Sequence, residues 1–167
     1  PLTFAIVDVG RAQWGGGAGM ETRLQREVNP DYADLRNSGL IYGKISLRSW
    51  SFLLEISRSE QETSSGSLKV ESRSLTTRVW GRYGFQLPTQ WTPFLSAGLG
   101  ETFNQVETEF ASSHDVRNGN TGSLGLGGGL TGTFGQFQVD GELRASVFEY
   151  SKDPELSALL RVGFLIL

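Results

Sequence analysis

FQVDGELRASV, residues 137–147, alternates without a break: Phe137, Val139, Gly141, Leu143, Ala145 and Val147 share one face, and Gln138, Asp140, Glu142, Arg144 and Ser146 the other. Alternation with period two is the mark of a strand whose two faces meet unlike surroundings. The preceding stretch GSLGLGGGLTGTF, residues 122–134, sets Leu124, Leu126, Leu130 and Phe134 opposite Ser123, Gly125, Gly127, Gly129, Thr131 and Thr133. Gly135 and Gln136 join the two as a tight hairpin.

Working outward from this hairpin, the pattern predicts eight strands, at residues 14–26, 39–49, 51–61, 68–84, 93–106, 121–134, 137–149 and 156–167. The connections alternate in length. Residues 27–38, 62–67, 107–120 and 150–155 form long polar ones, and the links near Ser49, at 85–92 and at 135–136 are short. Every second turn therefore falls at the same end, as in an up-and-down antiparallel meander. A single domain over residues 1–167 is expected, with 1–13 as an N-terminal extension whose strand-like LTFAIVDV has no assigned place. The chain opens at Pro1 without Met and without a basic-then-apolar leader, as expected either of a processed mature protein or of a trimmed sequence.

Composition removes several classes. Charged residues at 20% and aromatics at 11% argue against disorder, and the 22 glycines are nearly twice the usual share of about 7%. The net charge is −3 and no Lys/Arg cluster tracks a phosphate backbone, so nucleic acid is not an expected partner. The absence of cysteine and the single His114 exclude a thiolate zinc site and a multi-histidine metal site, and no cofactor is expected. No run approaches the roughly 20 apolar residues of a spanning helix.

Alternation alone fits a soluble lipocalin-like barrel that is apolar inside, or a membrane barrel that is apolar outside. The large aromatics are sorted by height. Trp14, Trp50, Trp91, Phe52, Phe85, Phe94, Phe134 and Phe137 gather at the short-turn ends, and Tyr42, Phe103, Phe110, Phe148 and Tyr150 at the other. Two aromatic girdles are expected of a barrel in a bilayer, where amphipathic rings settle at the headgroup level. The glycines Gly17, Gly19, Gly98, Gly100, Gly125, Gly127 and Gly129 share the charged register, as a narrow interior requires.

PFLSAGLG at residues 93–100, followed by a glycine-rich strand, a two-residue turn and a closing amphipathic strand, resembles the eight-stranded outer-membrane barrels of the OmpA transmembrane domain and OmpX group. The resemblance spans nearly the whole chain. It implies an all-β, eight-stranded up-and-down transmembrane barrel in a bacterial outer membrane, exported through the periplasm. The partners it implies are membrane lipid, lipopolysaccharide and the outer-membrane assembly machinery. Members of that group usually end in Phe, whereas this chain ends Phe164-Leu165-Ile166-Leu167.

With apolar faces outward, Glu21, Arg23, Lys44, Arg48, Glu55, Arg78, Arg82, Asp140, Glu142, Arg144 and Arg161 point inward. Buried charges persist only when paired, so an ion-pair network is expected to close the lumen, either as a static polar core or as a gate for small ions. By height, Glu55, Arg78, Glu142, Arg144 and Arg161 are expected near mid-membrane, and Arg48, Arg82 and Asp140 nearer the short turns. Glu101, between Leu99 and Phe103 in the outward register, belongs at the long-loop interface. Some barrels similar to this one modify lipids with His and Ser, and His114 stands beside Ser112, Ser113 and Asp115. Neighbours in a flexible loop lack the frame a nucleophile and base require, so no catalytic role is expected. A surface ligand, if there is one, would meet loops 27–38 and 107–120.

Overall fold

The computed structural model describes residues 12–26, 33–65, 68–87, 89–110, 113–149 and 153–166. Eight strands follow in order: β1 (Gln13–Arg26), β2 (Ala33–Leu47), β3 (Trp50–Ser65), β4 (Leu68–Gly84), β5 (Trp91–Phe110), β6 (Ser113–Phe134), β7 (Phe137–Phe148) and β8 (Glu155–Ile166). Each is antiparallel to the next, and β8 returns to pair with β1, which closes the sheet into a barrel without a free edge around its waist. The strand-like residues 2–9 lie outside the described residues.

The barrel is inverted relative to a soluble protein. Seventeen polar or charged residues are buried against six hydrophobic ones, while thirty large apolar side chains are exposed among the described residues. Leu124, Leu126, Leu143 and Ile166 are each more than 65% exposed, whereas Asp140 and Arg161 are 0% exposed. This separates the two architectures that alternation left open, since a lipocalin-like interior would be filled by those leucines.

The short turns are two-residue hairpins where the pattern is sharpest. Phe134 pairs with Phe137 around Gly135 (φ 64°), and Leu47 pairs with Trp50 around Arg48 (φ 55°) and Ser49. Arg48 is thus a non-glycine residue in the left-handed region, which costs about 1–2 kcal/mol. Arg48→Gly is expected to raise the urea midpoint of unfolding by the equivalent of about 0.5–1 kcal/mol, the relief being partly offset by glycine's entropy. An unchanged or lower midpoint would contradict this.

At the opposite end, strands run further than their apolar pattern. The β2–β3 ladder stops at Gly39↔Arg58, yet β3–β4 continues to Ser65↔Leu68 and β5–β6 to Phe110↔Ser113, while β6–β7 begins only at Ser123↔Phe148. A four-stranded tongue of β3 to β6 therefore stands above the belt. Residues 107–110 and 113–120, expected as loop, are ladder, and 33–38 of the other expected loop belong to β2. Outside an apolar slab a strand needs no greasy face, so its alternation vanishes from the sequence.

The β1–β8 seam is unusually close. A Cβ built on Gly17 would lie 2.1 Å from the carbonyl oxygen of Val162 and 2.5 Å from the Cα of Gly163. Only hydrogen fits there, so glycine at this inward position allows the last strand to reach the first.

Candidate functional site: the barrel interior

The inward alternation of β7 delivers Asp140, Glu142 and Arg144 in succession to the lumen, where Glu55 from β3, Arg82 from β4 and Arg161 from β8 meet them. Arg144 grips Glu55 with two parallel bonds, Nη1 to Oε2 at 2.6 Å and Nη2 to Oε1 at 2.8 Å. This fork-to-fork geometry is the strongest form of an Arg–carboxylate contact. Arg82 donates to Asp140 at 2.8 Å and also to Glu142. Arg161 bridges Glu55 and Glu142, both at short range. Glu142 is the hub, accepting from three arginines and, at 2.6 Å, from Ser96. Asp140 takes a further bond from Thr131 at 2.8 Å.

Three guanidinium groups and three carboxylates thus form a neutral hexad joining four strands. Desolvating six ions is costly, and mutual attraction offsets that cost only where the remaining donors and acceptors are also engaged. Aromatic rings cover the guanidinium faces, while the Nε atoms of Arg82, Arg144 and Arg161 and the indole Nε1 of Trp80 are buried without a hydrogen-bond partner. Arg82 lies over Phe94 with 4.2 Å to the ring centroid, Arg144 over Trp80 at 3.8 Å and Arg161 over Tyr42 at 5.9 Å. The glycines of β5 and β6 make this possible: Cβ atoms on Gly98 and Gly125 would lie 2.5 Å and 2.6 Å from Trp80, and one on Gly129 would lie 2.9 Å from Phe94.

Towards the long loops a second group stands apart. Arg78 donates to Glu21 at 2.7 Å, Arg23 reaches the same carboxylate at 3.2 Å, and Arg23 lies 3.7 Å from Glu155. Lys44, on the short-turn side, donates to Gln138 at 2.8 Å. The hexad lies between two cavities, one of about 80 Å³ bordered by Arg23, Ser38 and Thr102, the other of about 330 Å³ bordered by Lys44, Phe94 and Gln138.

Several expected placements differ. Arg48 is exposed in its turn; its register is inward, but the ladder ends at Leu47 before it. Arg78 joins Glu21 across the barrel rather than Glu55 beside it, and Arg82 with Asp140 belongs to the central hexad rather than to the rim. Phe94 is 5% exposed and lumenal, not part of a girdle. Tyr42 is buried likewise, and Phe148 is half-buried in the inward register it shares with Asp140, Glu142 and Arg144. Trp14, Trp50, Trp91, Phe134, Phe137 and Phe103 are exposed on the outer face. Trp50 stacks edge-on with Tyr83, and Trp91 with Phe134. Tyr150 lies outside the described residues, as does the side chain of Phe110. Glu101 faces outward and is exposed. Trp80 and Glu155 were not anticipated, although Trp80 shares its parity with Arg78 and Arg82.

The serine–histidine reading falls mostly outside the described residues. Ser113 and His114 belong to β6, where His114 pairs with Glu109 along the ladder, and Asp115 is engaged by Arg117 at 3.0 Å. Ser112 and the side chains of Ser113 and His114 lie outside the described residues.

A closed, antiparallel, eight-stranded barrel with an apolar exterior and an ionic interior is the architecture of the small outer-membrane barrels. Solved structures with this fold include a major outer membrane protein from Thermus thermophilus (9% identity, TM-score 0.69, covering 93% of this chain and 100% of that one). The attachment invasion locus protein Ail of Yersinia pestis matches at 10% identity and TM-score 0.62, over 93% and 97% of the two chains. The Neisserial surface protein NspA matches at 14% identity and TM-score 0.57, over 93% and 96%. No protein-family model and no curated protein sequence matches the chain.

Proposed function

We propose that this chain is an integral outer-membrane protein with a structural role: a bilayer-embedded scaffold that carries the β3–β6 tongue and its neighbouring loops outward and keeps its lumen shut with the ionic hexad. The observation that carries the reading is the inversion, among the described residues, of thirty exposed large apolar side chains against seventeen buried polar ones. In water such a surface would aggregate; in acyl chains it is the favoured solvent contact. The short turns then face the periplasm and the longer connections the exterior. Membrane lipid, lipopolysaccharide and the assembly machinery are the proposed partners, and a surface ligand would meet the tongue rather than a flexible loop.

Folded protein is expected to stay monodisperse only in detergent or bilayers and to migrate differently on gels before and after boiling. Monodispersity in detergent-free buffer would refute the membrane reading. In planar bilayers the wild type is expected to give no resolved conductance steps, and Glu55→Ala, which leaves Arg144 and Arg161 to share Glu142, is expected to introduce them. Steps in the wild type would mean that the hexad does not seal the lumen.

A further inference from the structure

A depression on the outer face sits at the upper border of the apolar belt. Two cross-strand rows form it. The lower runs Arg58–Leu75–Phe103–Asn120, and the upper brings Arg73, Gln105 and Asn118 side by side. The next outward row below is Ile56–Thr77–Glu101–Gly122, with the exposed Leu99 and Leu124 of the belt beneath it. The depression measures about 530 Å³, within the usual range of small-ligand sites of about 300–1,000 Å³. Its lining holds two guanidinium groups, amide side chains and one aromatic ring, and no carboxylate.

The carboxylates stand around it. Arg58 is held by Glu60, and Arg73 by Glu71 at 2.6 Å, with Glu60 at 3.9 Å and Glu107 at 4.0 Å. A guanidinium has five N–H donors, so these contacts fix each arginine and leave donors for the depression. Both arginines remain substantially exposed, with side chains 69% and 45% accessible.

We propose that this depression binds the headgroup of a phosphorylated glycolipid of the outer leaflet. The arginines suit phosphate oxygens, Gln105, Asn118 and Asn120 suit sugar hydroxyls, and Leu75 and Phe103 continue the acyl-chain surface upward. The position selects a lipid over a soluble anion, because the floor is the rim of the belt itself. The inference rests on the membrane reading above, with the long-loop end outward.

The 167-residue chain, folded in dodecyl maltoside micelles, is titrated with bisphosphorylated lipid A, with dephosphorylated lipid A and with a soluble sulfated oligosaccharide, with binding read by native mass spectrometry. Bisphosphorylated lipid A is expected to bind roughly tenfold more tightly than the dephosphorylated form. The double variant Arg58→Gln/Arg73→Gln is expected to erase that difference, whereas Lys69→Gln, outside the depression, keeps it. Equal binding of the two lipids, or a preference that survives the double variant, would overturn the site. So would binding of the soluble oligosaccharide as tight as that of lipid A, which would assign the depression to a soluble sulfated glycan. Boiling-dependent gel mobility is recorded for every sample. A chain that does not fold in detergent overturns the membrane reading and the site with it, while a folded barrel indifferent to phosphate overturns the site alone.

Discussion

Glu142→Gln is expected to lower the stability of the folded barrel by about 3–5 kcal/mol, the range for removing one partner of a buried ionic group. Glu142 accepts from Arg82, Arg144, Arg161 and Ser96. Its neutral replacement leaves three buried guanidinium groups to share the two charges of Glu55 and Asp140. Equilibrium unfolding in urea from lipid vesicles, followed by tryptophan fluorescence, measures the loss. Adding Arg161→Met restores the charge count, and the double variant is expected to be more stable than Glu142→Gln alone. A single-variant loss below about 1 kcal/mol would mean that the interior is wet enough to solvate the excess cation, since exposed pairs contribute no more than that.

Gly17→Ala is the second large effect expected. The added methyl meets the carbonyl of Val162 and the Cα of Gly163, both backbone, so no rotamer change makes room. The cost is expected at or above the upper end of the about 1–3 kcal/mol typical of overpacking. It should appear both as a lower urea midpoint and as a smaller fraction of chains reaching the folded gel position. Gly43→Ala is the control, because nothing stands within 4 Å of a Cβ at that position. Equal effects of the two substitutions would remove the steric argument for the seam.

Much of the barrel was legible because a strand between lipid and lumen must alternate. Parity alone put Asp140, Glu142 and Arg144 on one face with the glycines of β6. The same parity carried information that height obscured: Phe94 lies in phase with Gly98 and Gly100, and Phe148 with Arg144, so both rings are inward although they stand near strand ends. Arg48 fails for the opposite reason, being in phase but past the last ladder pair. Which carboxylate each arginine meets was not legible. Arg78 and Glu55 are direct neighbours on paired strands, yet Arg78 spans the lumen to Glu21, a choice set by the stagger of the closed sheet. The tongue was hidden because water on both faces imposes no periodicity on ETEF or SHDVRNGN.

The hexad also constrains the order of assembly. Its anions and cations come from β3, β4, β7 and β8, so a half-built sheet of the first four strands carries Glu55 and Arg82 without Asp140, Glu142, Arg144 or Arg161. The two charges balance, but neither has its native partner: Arg82 lacks Asp140 and Glu142, and Glu55 lacks Arg144 and Arg161, until β7 and β8 arrive. Water must therefore accompany the growing sheet until the terminal strand docks, and dehydration of the interior becomes the final, all-or-none event of biogenesis.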